Sequence, residues 1–251
     1  LGITILNMED TMLMSYVLRT GLRGHNLDEL ATDFLSHTTI KYSDVRNIEK
    51  KKVTFDYVNV HDALRYAAED ADITFRLWEV LKIELIQNDL LNFYYCVEKP
   101  LVEVIAIMEI NGFKINEDYL KVLSSDFSKR ILLIEDKIFQ ISKEKFNVGS
   151  PKQLGEILFS KLGMPYGKKG KSGNFQTDVK ILEKLKSEKF NIASLILDWR
   201  QFSKLKNTYC EGLLSRQNTQ TTRIHTSFGM ASTLTGRLSS NDPNLQNIPI
   251  K

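Results

Sequence analysis

Residues 123–141 read LSSDFSKRILLIEDKIFQI, placing Leu123, Phe127, Ile131, Ile134, Ile138 and Ile141 at spacings of 4, 4, 3, 4 and 3. On a helix of 3.6 residues per turn this makes one narrow apolar stripe, with the charged side chains on the remaining surface. A matching stripe runs through Ile192, Leu195, Trp199, Phe202, Leu205 and Tyr209, spaced 3, 4, 3, 3 and 4. Two long amphipathic helices with such seams pair as an antiparallel hairpin. The aromatic residues of the second seam are read as core rather than as ligand contacts.

Between the two stripes lies a tip, residues 146–180. Ser150-Pro151-Lys152-Gln153 offers an N-cap serine, proline at the first helical position and a capping glutamine at N3. Gly163, Gly167, Gly170 and Gly173 are then interleaved with Lys161, Lys168, Lys169 and Lys171. The expectation is a mobile, cationic tip, with backbone N–H groups at helix starts suited to phosphate. An ordinary exposed loop has the same composition.

Upstream, Asn111-Gly112 stops a helix over 97–110, Phe113-Lys114-Ile115 is briefly extended, and Asn116 caps the first seam helix with Glu117 and Asp118 in its first turn. Val58 to Asn88 is a long helical pattern with Val60, Leu64, Ala67, Ala68, Ala71, Phe75, Trp78 and Leu81 at three- and four-residue spacing. Before it, Ile3–Leu6 reads as a strand and Asp10 as the N-cap of a helix over Met12–Leu18, a metal ligand being the alternative. Asn26 and Glu29 then form a capping box for a helix to about Ser36, and Lys41–Lys52 is a loop or short helix. A strand followed by helices is the second half of an α/β domain. After Arg216 the pattern turns extended, with alternation over Arg223–Phe228.

The chain has 251 residues, 42% hydrophobic and 26% charged, enough for one large domain or two ordinary ones. These values exclude a disordered or collagen-like chain, and no apolar run is long enough for a membrane span. Two cysteines make no disulfide framework and four scattered histidines no zinc pattern, so a reduced, cytoplasmic protein is expected. Beginning at Leu1, it reads as a piece of something larger. Net charge is +3, but residues 161–210 carry eleven Lys/Arg against four Asp/Glu. Segregated positive charge is a footprint for a polyanion, although a solvated lysine-rich face is the commoner cause of such a run.

Tyr66 and Asp70 stand at i and i+4 on one helix face. Such a pair suits a hydrolytic metal site, the carboxylate holding a cation and the phenol orienting water. Spacing alone does not choose Asp70 over Glu69, and a solvated acidic face is the commoner cause of such spacing. A two-metal phosphodiester site needs several carboxylates from separate elements.

Thr235–Pro249 reads TGRLSSNDPNLQNIP and closely resembles the TGRLSS-x-DPNLQNIP signature of family A DNA polymerases, the bacterial DNA polymerase I type. Other blocks agree in order. Tyr66-Ala67-Ala68-Glu69-Asp70 resembles the third motif (Tyr-x-x-x-Asp) of the proofreading exonuclease. Ser150-Pro151-Lys152-Gln153-Leu154 is similar to the thumb-tip motif, and Trp199-Arg200 through Lys204-Leu205-Lys206-Asn207-Thr208-Tyr209 to the second thumb helix.

The resemblance implies an α+β, mostly helical chain. Residues 1–92 would be the C-terminal part of a 3′–5′ exonuclease domain, 93–212 the polymerase thumb, a long antiparallel helical element, and 213–251 the first strands of the palm. It implies Asp70 as a metal-binding carboxylate of the exonuclease and Tyr66 as its water-positioning partner. Asn147, Ser150, Arg200, Lys204 and Lys206 would hold the duplex backbone. Such contacts position DNA without reading sequence. Arg237 would approach the minor groove near the primer end, where A·T and T·A pairs present the same acceptors. Asn244, Gln246 and Asn247 would add amide contacts, each with a turn-stabilising role as the alternative.

The implied cofactor is Mg2+, and the implied partners are primer–template DNA and dNTPs. A monomer with no membrane association is expected, cytoplasmic and nucleoid-associated in a bacterium. In the family, the first two exonuclease motifs precede the position of Leu1, and the palm aspartates and fingers follow that of Lys251. The intact protein is therefore expected to extend primers in replication and repair, and this chain to bind primer–template without catalysis. At the tip, Phe175-Gln176-Thr177 stands where many relatives carry a Ser-Thr pair, which weakens the case for a phosphate contact from Gln176. Two other readings compete: a stand-alone Tyr-type 3′–5′ exonuclease, which has no use for the Gly236-Arg237 signature, and a non-catalytic duplex-DNA-binding module.

Overall fold

Asp10, Asn26, Asn59, Asn116, Ser150 and Asp178 each accept a hydrogen bond from a backbone N–H in the first turn of the helix that follows. Each satisfies donors that a helix start leaves without an intrahelical partner. The computed structural model describes residues 7–21, 24–48, 51–170 and 173–249; the expected strand Ile3–Leu6 lies outside them. In chain order the elements are α1 (Thr11–Arg19), α2 (Leu27–Leu35), α3 (Tyr42–Val45), β1 (Asn47–Ile48), β2 (Lys51–Lys52), α4 (Val60–Gln87), α5 (Leu91–Phe93), α6 (Lys99–Asn111), β3 (Phe113–Lys114), α7 (Glu117–Ser142), α8 (Pro151–Gly155), α9 (Val179–Ser187), α10 (Asn191–Lys204), α11 (Gly212–Ser215), β4 (Arg223–Ile224), β5 (Ser227–Gly229) and β6 (Ser239–Asn241). Tyr94–Glu98, Glu156–Lys161 and Leu205–Glu211 are π-helical. The chain is mostly helical, and the strands among the described residues form three short antiparallel pairs, β1–β2, β3–β4 and β5–β6. None of the described helices is long and apolar enough to cross a membrane.

The chain divides into two compact units. The first takes the chain up to Gly112 and regains it with His225–Asn247. Its core is Leu13, Met14, Leu30, Ala31, Ile73, Leu77, Leu81, Leu85 and Tyr94. The face of α4 that packs on α1 and α2 is thus the row Ile73, Leu77, Leu81, Leu85, and not the whole stripe expected from the sequence. At about 100° per residue, Leu64 and Phe75 fall on the far side of the helix from Ile73, and they are 62% and 58% exposed. Permissive three- and four-residue steps had merged two faces into one. The helix expected over 97–110 begins earlier, at Leu91, because the π-helical turn Tyr94–Glu98 carries α5 into α6 without a break. Its stop is as expected, with Gly112 at φ 61°.

The second unit takes Phe113–Ile224. Here α7 and α10 run antiparallel, as their seams require. Ser124 Oγ donates to Glu211 at 3.0 Å, the Phe127 and Phe202 rings lie 5.8 Å apart, and Trp199 Nε1 donates to Glu135 at 2.8 Å. Residue numbers climb on one helix as they fall on the other. At the tip end the seam widens into a core of Ile138, Val148, Leu154, Leu158, Phe159, Leu182, Leu185, Ile192, Ala193 and Ile196. β3 pairs with β4 through Phe113↔Ile224 and Lys114↔Arg223, closing the base of this unit.

Ile138→Ala should destabilise the second unit by about 2–5 kcal/mol, the cost of emptying a fully buried aliphatic site. Leu132→Ala, on the exposed face of the same helix, should stay within about 0.5 kcal/mol. Urea melts of the two variants check the pair.

Candidate nucleic-acid interface

The tip of the second unit is packed and hydrogen-bonded. The Phe159 and Phe175 rings lie 5.2 Å apart, and a Cβ on Gly155 would stand 2.8 Å from that of Phe175. Gly170 N donates to Asn174 O, Gln176 N donates to Lys168 O, and Lys169 bridges Phe175. Of the glycines that suggested mobility, Gly167 lets the Phe159 ring approach the backbone, as Gly155 in α8 does for Phe175. Lys161 pairs with Glu144, Lys184 covers the Tyr166 ring and Lys169 lies over Phe175, while Lys168 is exposed.

Beside this tip, Asn147 Oδ1 accepts from Gly149 N and Ser150 Oγ from Gln153 N. The Gln153 side chain does not complete a capping box; its Oε1 accepts from Asn147 N at 2.7 Å and ties the two motif residues together. Arg200 is half-buried. Its two terminal nitrogens donate to the Thr177 carbonyl at 2.6 Å and to Thr177 Oγ1 at 3.2 Å. Burial pulls its guanidinium below the ordinary value, against the charge of Asp178. One turn on, Lys204 is exposed, with no acid paired to it among the described residues. Lys206 pairs with Glu211 at 3.5 Å.

In the first unit the Thr233–Asn247 segment folds on its own hydroxyls. Thr226 Oγ1 and the buried Ser240 Oγ are 2.7 Å apart, Leu245 N donates to Ser240 Oγ, and Thr233 Oγ1 donates to Arg237 O. β5 pairs with β6 through Phe228↔Ser240, and Gly229 admits Ser239 Oγ to 2.6 Å of where a Cβ would stand. With these groups satisfied, the side chain of Arg237 is left exposed. Asn244 Oδ1 accepts from Gln246 N and Gln246 Nε2 donates to Leu238 O, both turn-stabilising bonds. Asn247 is exposed.

Tyr66 and Asp70 share a face of α4, as the spacing requires. Burial first, and then a hydrogen bond to Asp70, holds the Tyr66 phenol above its ordinary value, so it stays protonated beside the carboxylate. Glu69 is engaged elsewhere, accepting from Ile40 N at 2.6 Å and meeting His37 Nε2 at 2.8 Å. Of the two carboxylates, Asp70 is the one bonded to the Tyr66 phenol. Asp70 also lines a cavity of about 630 Å3 with Glu9, Thr11, Thr74 and Trp78. Asp10 is the helix cap and Glu9 is tied to Tyr94, Tyr95 and Lys99. Among the described residues no three His, Cys, Asp or Glu side chains stand close enough to hold a metal ion.

The sequence reading missed the company that Tyr66 keeps. Tyr42 and Phe55 put their rings 5.8 and 6.2 Å from it, and both are partly exposed. Tyr42 opens α3 and Phe55 a separate 3-10 turn, so no periodicity marks them; two aromatics in and just after a polar, basic stretch were the available signal.

A family model for 3′–5′ exonuclease matches residues 1–86, and one for DNA polymerase family A matches residues 117–251. The chain belongs to DNA polymerase family A. It is similar to the DNA polymerase I of Rhizobium leguminosarum (46% identical over 250 residues, all of this chain and 25% of that protein) and to that of Treponema pallidum (44%, 98% of this chain and 24% of that protein). A solved structure described as the POL domain of Pol1 from M. smegmatis in complex with DNA primer-template and dNTP matches with a TM-score of 0.73 at 31% identity. That match covers 96% of this chain and 39% of the other. The chain thus spans about a quarter of the length of these two relatives.

The Ile40 N–H first, and His37 second, hold the Glu69 carboxyl below its ordinary value of 4.5. A depressed folded value stabilises above the unfolded one and is lost as pH falls through the folded one. Glu69→Gln should therefore cost about 1 kcal/mol at pH 7. The difference should shrink as pH drops below 4.5, which thermal melts across pH will show.

Proposed function

We propose that this chain is the part of a bacterial DNA polymerase I that links the 3′–5′ exonuclease to the polymerase and holds primer–template DNA. The observation that carries the reading is the family A match over residues 117–251. Within that stretch the Thr233–Asn247 turn satisfies its own hydroxyls and leaves Arg237 exposed. In this reading 1–92 is exonuclease, 93–212 thumb and 213–251 the start of the palm. Lys204, with Asn147, Ser150 and Lys206, lies along the duplex backbone. Arg237, Asn244, Gln246 and Asn247 approach the grooves and bases near the primer end. Exposed lysine on a rigid helix supplies the sequence-independent grip that a replicating enzyme needs.

The intact protein would join dNTPs to primer 3′ ends with Mg2+, through carboxylates beyond those brought together here. Asp70, with Tyr66 bonded to it, is the contribution of this chain to the exonuclease. The partly exposed Tyr42 and Phe55 rings beside that pair offer stacking faces for an unpaired primer end. The chain alone is expected to bind DNA and not extend it; template-directed incorporation by the purified 251-residue chain contradicts this.

Fluorescence anisotropy with a primer–template duplex across a salt series tests the grip. Affinity should fall steeply with salt, and Lys204→Ala should make log K against log[salt] shallower by about 0.9, one phosphate contact. A salt-independent affinity, or a Lys204→Ala slope equal to that of the unsubstituted chain, sinks the proposed backbone contact.

A further inference from the structure

Lys204 and Lys206 stand two residues apart where α10 ends, in different company. Lys204 is exposed. Lys206 meets Glu211, five residues on, at 3.5 Å. At about 100° per residue, the fifth residue along an α-helix lies about 140° round the cylinder, so an i,i+5 pair faces apart. The pair forms here because Leu205–Glu211 is π-helical, each N–H reaching back five residues rather than four. The Gly212 N–H donates to the Asn207 carbonyl, and a Cβ on Gly212 would stand 2.9 Å from that oxygen. Glycine at 212 gives the wide turn the room it needs. Glu211 is also fixed from α7, because Ser124 Oγ donates at 3.0 Å to Oε1, the same oxygen that meets Lys206.

We propose that Glu211 is a stand-in for phosphate: it holds the Lys206 ammonium in the DNA-free chain and yields it to the duplex backbone on binding. Three features support this assignment. An ammonium carries three rotatable donors, for which carboxylate and phosphate oxygens are interchangeable partners. Both side chains are open to solvent, Lys206 at 26% and Glu211 at 51%, and a pair so exposed is weak enough to be displaced. The carboxylate left behind keeps the Ser124 hydroxyl, so the handover strands no acceptor. Its charge then stays beside the DNA backbone and repels it. Lys204 is thus the standing contact of this edge and Lys206 a tempered one, which limits the hold on a duplex that has to advance with each nucleotide added.

The handover rests on the DNA-binding reading; the pair itself does not. The first readout uses the DNA-free 251-residue chain and a water-soluble carbodiimide, which condenses a carboxyl and an amine in contact into an amide with loss of water. Peptide mapping should find a Lys206–Glu211 link, and Gly212→Ala should weaken it. Saturating primer–template duplex should suppress that link and leave the Lys121–Glu117 link, from an ion pair in the first turn of α7, unchanged. The second readout is duplex affinity by anisotropy for Glu211→Gln, Lys206→Ala and the double variant. Glu211→Gln should tighten binding at low salt, and the gain should be about two- to fivefold smaller once Lys206 is gone, the worth of an exposed ion pair. Lys206→Ala should make log K against log[salt] shallower by about 0.9.

A link absent from the free chain, or undiminished at saturating duplex, would overturn the proposal. So would an equal gain from Glu211→Gln with and without Lys206, the mark of general repulsion between an acid and DNA. A salt slope unchanged in Lys206→Ala would show that the lysine never reaches phosphate. A link of native yield in Gly212→Ala would detach the pair from the π-helical turn. Should the unsubstituted chain fail to bind duplex at low salt, the DNA-binding reading and the handover fall together, and the free-chain link still decides whether the turn holds Lys206.

Discussion

The seam between α7 and α10 is the constraint on which the second unit depends. α7 and α10 meet along one line, and the antiparallel direction follows from the order of contacts, while the start of α10 also packs on α9 through Ile192, Ala193 and Ile196. Phe127 on Phe202 and Trp199 on Glu135 hold the line at its middle. At one end it opens into the buried cluster around Ile138, Leu158 and Leu185, which is the floor on which the basic tip rests. At the other end Ser124 reaches Glu211, in the π-helical stretch that bears Lys206. The packing thus fixes where the cations at the tip and along the edge of this helical pair stand, which the proposed grip on duplex DNA requires.

In the first unit the governing economy is different. Side-chain oxygens take over bonds that regular secondary structure would otherwise supply. Glu9 gathers two tyrosines and a lysine from the π-helical region, Glu69 holds the His37–Ile40 loop, and Ser240 joins Thr226 and Leu245 under the Arg237 turn. The consequence for function is subtraction. Once Asp10 is a cap and Glu69 a loop anchor, Asp70 is the carboxylate left beside the Tyr66 phenol; once the hydroxyls of the Thr233–Asn247 turn are satisfied internally, Arg237 is the group left outside.

Much of this was legible in the sequence, and the reasons are specific. The two seams, the caps at Asp10, Asn26 and Asn116, and the stop at Gly112 are local and periodic, so a single chain displays them. The Thr235–Pro249 signature is long enough to resemble one family, and residues 117–251 match that family. What escaped depends on contacts distant in sequence. Leu64 and Phe75 fit a permissive helical spacing but face away from Ile73, a difference that only the partners α1 and α2 reveal. The tip looked mobile from its glycines, while Gly155 and Gly167 are small because Phe175 and Phe159 need the room. The Arg200 fork on Thr177, 23 residues away in sequence, leaves no trace in spacing, and neither does the gathering of Tyr42 and Phe55 around Tyr66.

The central claim is that the ordered tip and the open edge of the seam meet duplex DNA. Amide hydrogen exchange across the whole chain, with and without saturating primer–template duplex, tests it most directly. The account predicts new protection on adding duplex at residues 147–153, 173–181 and 204–211, with the exposed Leu132 and Leu133 face of α7 unchanged. Protection confined to that α7 face, or absent from the tip at saturating duplex, would contradict it.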